Sequence, residues 1–293
     1  GVRCVMNLSF AITSLEQGLA FGIMALGVFI SFRILDFADL TVDGSLPLGA
    51  AVSARLLTMG MNPFYSLGAA VLAGGLAGAI TGFLNTKLKI APLLSGILTM
   101  TSLYSINLRV MGRPNIPLIG KDTIFSFISD LGVPYPWNNL LLLILVIVVV
   151  KFILDAFLNT QIGFALRATG DNPQMIRSMG ISTNSMKMLG LIISNALVAL
   201  SGALVGQYQG FADVNMGVGT IVAGLASVII GEVVIGEKSI MIATIGVIIG
   251  SILYRFSISI ALNLGLAASD LKLLTAILVI IFLSTPRIKK ALR

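Results

Sequence analysis

Apolar runs of membrane-spanning length follow one another along almost the whole chain, separated by short polar breaks. One spanning helix needs ~20 mostly apolar residues, and nine candidate runs can be drawn. They cover Ser9–Leu35, Leu40–Gly60, Asn62–Leu84, Ile90–Met111, Trp137–Leu158, Asn184–Tyr208, Phe211–Ile235, Ser239–Leu262 and Leu271–Ser284. Composition explains why no soluble fold suits them. Of 293 residues, 57% are hydrophobic and 11% charged, with a mean hydropathy of +1.02. An ordinary soluble domain carries about 25% charged residues, and any globular surface must leave much of itself in water. A soluble globular enzyme is excluded. The expectation is an all-α polytopic membrane protein with about nine spans, a single transmembrane domain over residues 1–293. Spans of that number use roughly 180 residues, which leaves no room for a soluble domain of ordinary size. Any energy source or receptor is then another polypeptide or a gradient.

The missing residues narrow the chemistry. The chain has no histidine, hence no imidazole proton relay, no Ser-His-Asp triad and no histidine metal site. The one cysteine, Cys4, cannot form an internal disulfide. A net charge of +7 suits cytoplasmic loops enriched in Lys and Arg better than nucleic acid, which is not expected as a partner. With nine spans the termini lie on opposite sides. If the basic tail (Arg287, Lys289, Lys290, Arg293) is cytoplasmic, Arg33, Lys87, Lys89, Lys151, Arg167, Arg177, Lys187 and Lys238 fall inside with it. The expected orientation is N-terminus out and C-terminus in.

Two spans are interrupted, and they echo each other. Phe37-Ala38-Asp39 opens the second and Phe211-Ala212-Asp213 the seventh, each leading into a glycine-broken apolar segment. Five spans apart, they enter the membrane from opposite sides. Broken segments at matching places in inverted halves point to a transport pathway. The third span carries a stripe of small residues (Gly68, Gly74, Gly75, Gly78, Gly82) of the kind that lets membrane helices pack closely.

The polar segment Gly163–Ser182 reads as a loop carrying a short helix outside the bilayer. Asp171 or Asn172 supplies an N-cap, Pro173 suits the first turn and Gly180 ends it. Its surface mixes Met175, Ile176 and Met179 with Arg177, a knob suited to a groove on another protein or, more plainly, a connection lying on the membrane.

This stretch resembles the coupling-helix loop of permeases in binding-protein-dependent ABC importers, closest to the branched-chain amino acid/ribose-type family. Asp39-Leu40-Thr41-Val42-Asp43-Gly44-Ser45 with Gly49-Ala50 resembles that family's second span. Gly224–Gly231 with Gly236 resembles its late glycine-rich segment. The resemblance extends over about Leu15–Pro286. It implies a permease of the bacterial plasma membrane working with a cytoplasmic ATPase dimer, an extracellular or periplasmic substrate-binding protein and a second permease copy, a homodimer being favoured. ATP and magnesium would sit on the ATPase and no cofactor on this chain. Residues 163–182 would be the coupling loop. Gly170, Asp171, Asn172, Pro173 and Gly180 would shape its helix, and Met175, Ile176, Arg177 and Met179 would meet the ATPase. Asp43, Glu232 and Glu237 depart from the family pattern.

Acids at membrane depth cost at least ~2.5–3.5 kcal/mol and must face protein or water. Asp39 or Asp43, beside Gly44 and Ser45, would meet a substrate ammonium, or else cap a half-helix or pair with Arg33. Asp213 and Asn215 carry the same ambiguity at the other broken span, and Tyr208 and Phe211 are further pathway candidates. Gly231–Ser239 nearly spells a P-loop, but Glu237 intrudes before the lysine and no strand precedes it, so ATP binding is not expected here. Cargo is expected to be an amino acid, aromatic or branched-chain. A sugar, nucleoside or vitamin is the alternative. An ion-coupled secondary transporter is the alternative of another class, and nothing assembles an intramembrane active site.

Overall fold

The computed structural model describes residues 8–130, 137–236 and 239–265, with 270, 273, 275–277 and 280 beyond them. Cys4, Pro134, Pro136, Glu237, Lys238, most of the expected ninth span and the basic tail lie outside the described residues. The chain is helical, as its apolar runs require. Helix α1 (Leu8–Val28) continues into a π turn, Phe29–Ile34, and is followed by α2 (Val42–Thr58), α3 (Pro63–Thr86) and α4 (Pro92–Met111). A three-residue strand β1 (Asn115–Pro117) and the short α5 (Ile124–Asp130) precede α6 (Trp137–Leu158). Next come α7 (Gln161–Asp171), α8 (Pro173–Ser178), α9 (Thr183–Gln209), β2 (Phe211–Asp213), α10 (Thr220–Ile235) and α11 (Ile240–Asn263).

Eight of these helices form the membrane bundle among the described residues. Five are both long and apolar enough to cross a bilayer (α1 with its π turn, α3, α6, α9 and α11). The two broken spans are short: α2 has 17 residues and α10 has 16. At 1.5 Å per residue, each is about 24–26 Å long, short of the ~30 Å hydrocarbon thickness. The remaining length is non-helical backbone at their N-terminal sides. The second span itself is an unbroken helix despite Pro47, so its interruption lies before Val42 rather than within it.

Helix α1 is the axis. Ala20, Ile23, Ala25, Leu26 and Ile30 are all fully buried, although an isolated spanning helix would face lipid all round. Helix α9 lies antiparallel beside it, and Ser194 Oγ and Ser201 Oγ donate to Gly27 O and Ala20 O at 2.7 Å each. Helices α2, α3 and α11 close round this pair. Their approach is set by glycine. A Cβ added at Gly49 would stand 1.9 Å from Ala199 O, and one at Gly202 1.9 Å from Leu46 O, so α2 and α9 touch backbone to backbone. In the small-residue stripe, Gly74 and Gly78 press on Asn195 O and Leu191 O of α9, whereas Gly68 faces open space.

Two ends result. At one, the last turns of α1 and α6 meet α7 and the start of α9: Gly170 sits against Ile34 O and Gly163 against Leu158. Here lie Arg33, Lys87, Lys89, Lys151, Arg167, Arg177 and Lys187. At the other end, β1 and β2 pair antiparallel, Asn115 opposite Asp213 and Pro117 opposite Phe211. This ribbon joins segments almost a hundred residues apart and was not expected from the sequence.

Candidate functional site

The two broken spans meet at their helix N-termini. From that junction α2 runs toward the ribbon and α10 toward the α7–α8 end, where Glu232 pairs with Arg33 at 2.8 Å. The join is made by Asp43, in the first turn of α2. Its Oδ1 accepts from Ile221 N at 2.7 Å and Thr220 Oγ1 at 3.0 Å, and its Oδ2 from Gly219 N at 2.9 Å. A helix begins with N–H groups that lack intrahelical partners and with positive partial charge. Helix α10 has no capping side chain of its own, because its N-cap is Gly219. Asp43 supplies the missing cap from 177 residues away in sequence. The backbone is equally tight: a Cβ at Gly217 would stand 2.0 Å from Asp43 O.

Asp39 is likewise satisfied by protein. It is 2% exposed, with Oδ1 accepting from Thr41 N at 2.9 Å and Oδ2 from Asn195 Nδ2 at 2.7 Å. Asn195 Oδ1 in turn accepts from Ser45 Oγ at 2.7 Å, and Gly44 O accepts from Asn107 Nδ2 at 3.2 Å. Thr41, Thr81 and Thr99 link the start of α2 to α3 and α4 through hydroxyl contacts of 2.7 and 2.9 Å. Neither acid pairs with Arg33, which Glu232 engages instead, and the oxygens of both are taken by groups of this chain.

The remaining pathway candidates are scattered rather than gathered. Tyr208 Oη donates to Glu16 Oε2 at 2.9 Å, tying α9 to α1. Phe211 is 40% exposed on the ribbon, and Asp213 accepts from Asn215 N at 2.8 Å and Asn115 Nδ2 at 3.2 Å. Asn215 lies exposed beside it. Sequence reasoning passed over Glu16, Asn107, Asn195 and Gln207. Each is a strongly polar side chain buried in a largely apolar helix, where such groups must find protein partners, and that is the signal that marks them. Gln207 Nε2 donates to Ser53 Oγ at 2.9 Å and its Oε1 accepts from Ile124 N at 2.9 Å, so it holds α5 down on the bundle.

At the opposite end α7 and α8 form a bent arm. Thr160 caps α7, its Oγ1 accepting from Gly163 N at 3.1 Å. Asp171 is the last residue of α7, not the cap of α8. Asn172 caps α8, accepting from Met175 N at 3.1 Å, Pro173 opens it, and Gly180 follows with φ +81°. Gly170 belongs to α7 and lets that helix press on the end of α1. Ile176 is 1% exposed and so anchors α8 to the bundle rather than facing outward. Arg177 Nε donates to Thr183 Oγ1 at 3.0 Å. Met175 and Met179, 46% and 64% exposed, form the free face. The first residues of the near P-loop, up to Ile235, belong to helix α10, where Gly231 packs against Gly246, and Gly236 follows as its C-cap with φ +86°.

Comparison with known proteins fits this architecture. Residues 10–284 match the family model described as branched-chain amino acid transport system / permease component. A tyrosine transport system permease protein of Clostridioides difficile is 46% identical over 98% of this chain and 94% of its own length. The ribose import permease protein RbsC of Haemophilus influenzae is 28% identical over 83% of this chain and 74% of its own. Among solved structures, PsaBC from Streptococcus pneumoniae superposes with a TM-score of 0.55 at 15% identity, covering 95% of this chain and 92% of that one, a likeness of fold. The chain thus belongs to the branched-chain amino acid transport permease family, as a multi-pass membrane-spanning subunit of an ABC importer in the bacterial plasma membrane.

Proposed function

We propose that this chain carries an aromatic amino acid, tyrosine or a close relative, across the membrane on energy supplied by a separate pair of cytoplasmic ATPases. A substrate-binding protein delivers cargo at the ribbon end, and two copies of the chain together form the pathway. The α7–α8 arm is the coupling loop and lies in the cytoplasm. The observation that carries the reading is the arm: a short helix fixed to the core by Ile176 and Gly170 but presenting Met175 and Met179 outward. Apolar side chains on a rigid knob suit a groove on a partner. The cluster of basic residues at the same end agrees with a cytoplasmic face. The tyrosine-transport relative supports the cargo class, and the more distant ribose relative makes a sugar the second reading. An ion-coupled mechanism is less well supported, because Asp39 and Asp43 spend their oxygens on protein donors.

The test is assembly. Replacing Met175 and Met179 together by Asp is expected to abolish copurification of the ATPase and the substrate-stimulated ATP hydrolysis of the complex, while the permease still reaches the membrane. Normal assembly and normal stimulation in that variant would remove α8 from the coupling role.

A further inference from the structure

A cavity of about 360 Å³ opens at the α7–α8 end, between the end of α1, the middle of α7 and the start of α11. Its lining is mixed. Phe29, Ile34, Ile240 and Ala243 are apolar, and Arg33, Arg167, Asp171 and Ser239 are charged or polar. The two arginines are not equivalent. Arg33 is balanced by Glu232 at 2.8 Å. Arg167 has no ion pair among the described residues: it lies over the Phe164 ring at 5.4 Å, and its Nε is buried without a hydrogen-bond partner. The 24-residue helix α11 starts in the same cavity. Its Ser239 Oγ accepts from Ile242 N at 3.4 Å, and the first N–H groups of such a helix carry positive partial charge.

A half-buried guanidinium with no ion pair among the described residues and a helix start converge on a space that apolar side chains also line. The ligand chemistry that suits this mixed lining is a phosphate ester attached to apolar chains. We propose that this cavity takes the phosphate of an anionic phospholipid head group, Arg167 and the start of α11 holding the phosphate and Phe29, Ile34, Ile240 and Ala243 receiving the glycerol and upper acyl carbons. Basic pockets between membrane helices on a cytoplasmic face are places where such head groups bind. Asp171, at the mouth, opposes the anion and limits its affinity. Because α7 leads directly into α8, an occupied cavity stiffens the coupling arm against α1 and α11. The proposal takes from the proposed function only the side of the membrane, and its test involves no transport.

The experiment compares thermal unfolding of the full-length chain in vesicles of phosphatidylcholine alone and of phosphatidylcholine mixed with phosphatidylglycerol. The mixed vesicles are expected to raise the unfolding temperature of the native chain, and Arg167→Gln to lose that increase while Arg167→Lys keeps part of it. Arg113→Gln, at the ribbon end, is the control and keeps it all. Inorganic phosphate added to the phosphatidylcholine vesicles is expected to do nothing; reproduction of the increase by phosphate would assign the site to a free anion and overturn the lipid. An increase undiminished in Arg167→Gln would overturn the site. Should that variant not fold, Asp171→Asn is expected to enlarge the phosphatidylglycerol effect, and an unchanged effect would count against the proposal.

Discussion

The same three residues, Phe-Ala-Asp, stand before each broken span, and the structure uses them in opposite ways. In both, the aspartate closes the same local turn: Asp39 Oδ1 accepts from Thr41 N at 2.9 Å, and Asp213 Oδ1 from Asn215 N at 2.8 Å. Such Asx turns hold the chain just ahead of a helix. Burial is then inverted. Phe37 is 1% exposed with Ala38 outward, while Phe211 is 40% exposed with Ala212 fully buried. A one-residue change of phase in extended backbone turns every side chain to the other face. The second oxygen of Asp39 therefore finds Asn195 in the bundle core, and that of Asp213 finds Asn115 on a surface ribbon. The distance to the following helix differs as well: Val42 begins α2 almost at once, whereas turns intervene before Thr220. Local chemistry repeats and tertiary role does not. Asp43 binds the two sites together, an acid of the first capping the helix of the second.

This contrast is best broken at the partners of the two aspartates. Asn195→Leu removes the donor to Asp39 and the acceptor of Ser45 in one step, leaving buried polar groups unpaired; a loss of about 3 kcal/mol is expected, measured by titrating the detergent-solubilised chain with a denaturing detergent. Asp43→Ala uncaps α10 and is expected to cost about 2 kcal/mol by the same titration. Its hydrogen exchange should rise at Gly219 and Ile221 before anywhere else in α10. Asp43→Asn retains one acceptor oxygen and should lose less. A permease reconstituted with that variant should keep the substrate dependence of the native complex, and a selective loss of affinity for cargo bearing an ammonium would return Asp43 to the pathway. Asp213→Ala, on the exposed ribbon, is expected to cost about 0.5–1 kcal/mol. Asn115→Leu should be smaller still, within ~0.5 kcal/mol of the native chain. Equal costs for Asn195→Leu and Asn115→Leu would erase the distinction between the two sites.

Much of this architecture was readable from residues alone. The fifth span was expected at Trp137–Leu158 and forms that helix, and the sixth, expected at Asn184–Tyr208, forms Thr183–Gln209. Continuous apolar length sets these helices, and the caps Ser182 and Gly210 mark where α9 starts and stops. The Asn172-Pro173 start of α8 was equally local. What escaped was non-local. Nothing beside Asn115 or Phe211 announces that they pair, because a three-residue ribbon has no periodicity to detect. Nothing beside Asp43 announces Gly219. An acid near a helix start reads the same whether it caps its own helix, another helix or a ligand, and only the packing of α2 on α9 and α10 decides among them. Ile176 shows the same limit in miniature: two turns of mixed residues do not reveal which apolar side chain turns inward.

The central claim, that this chain supplies a pathway and draws its energy from a separate ATPase, is tested most directly by uptake of labelled tyrosine into proteoliposomes. These hold the permease with its ATPase, with the substrate-binding protein added outside and ATP enclosed. The account predicts accumulation that requires enclosed ATP and the binding protein and is indifferent to a proton or sodium gradient. Gradient-driven accumulation by the permease alone, without ATP, would contradict it.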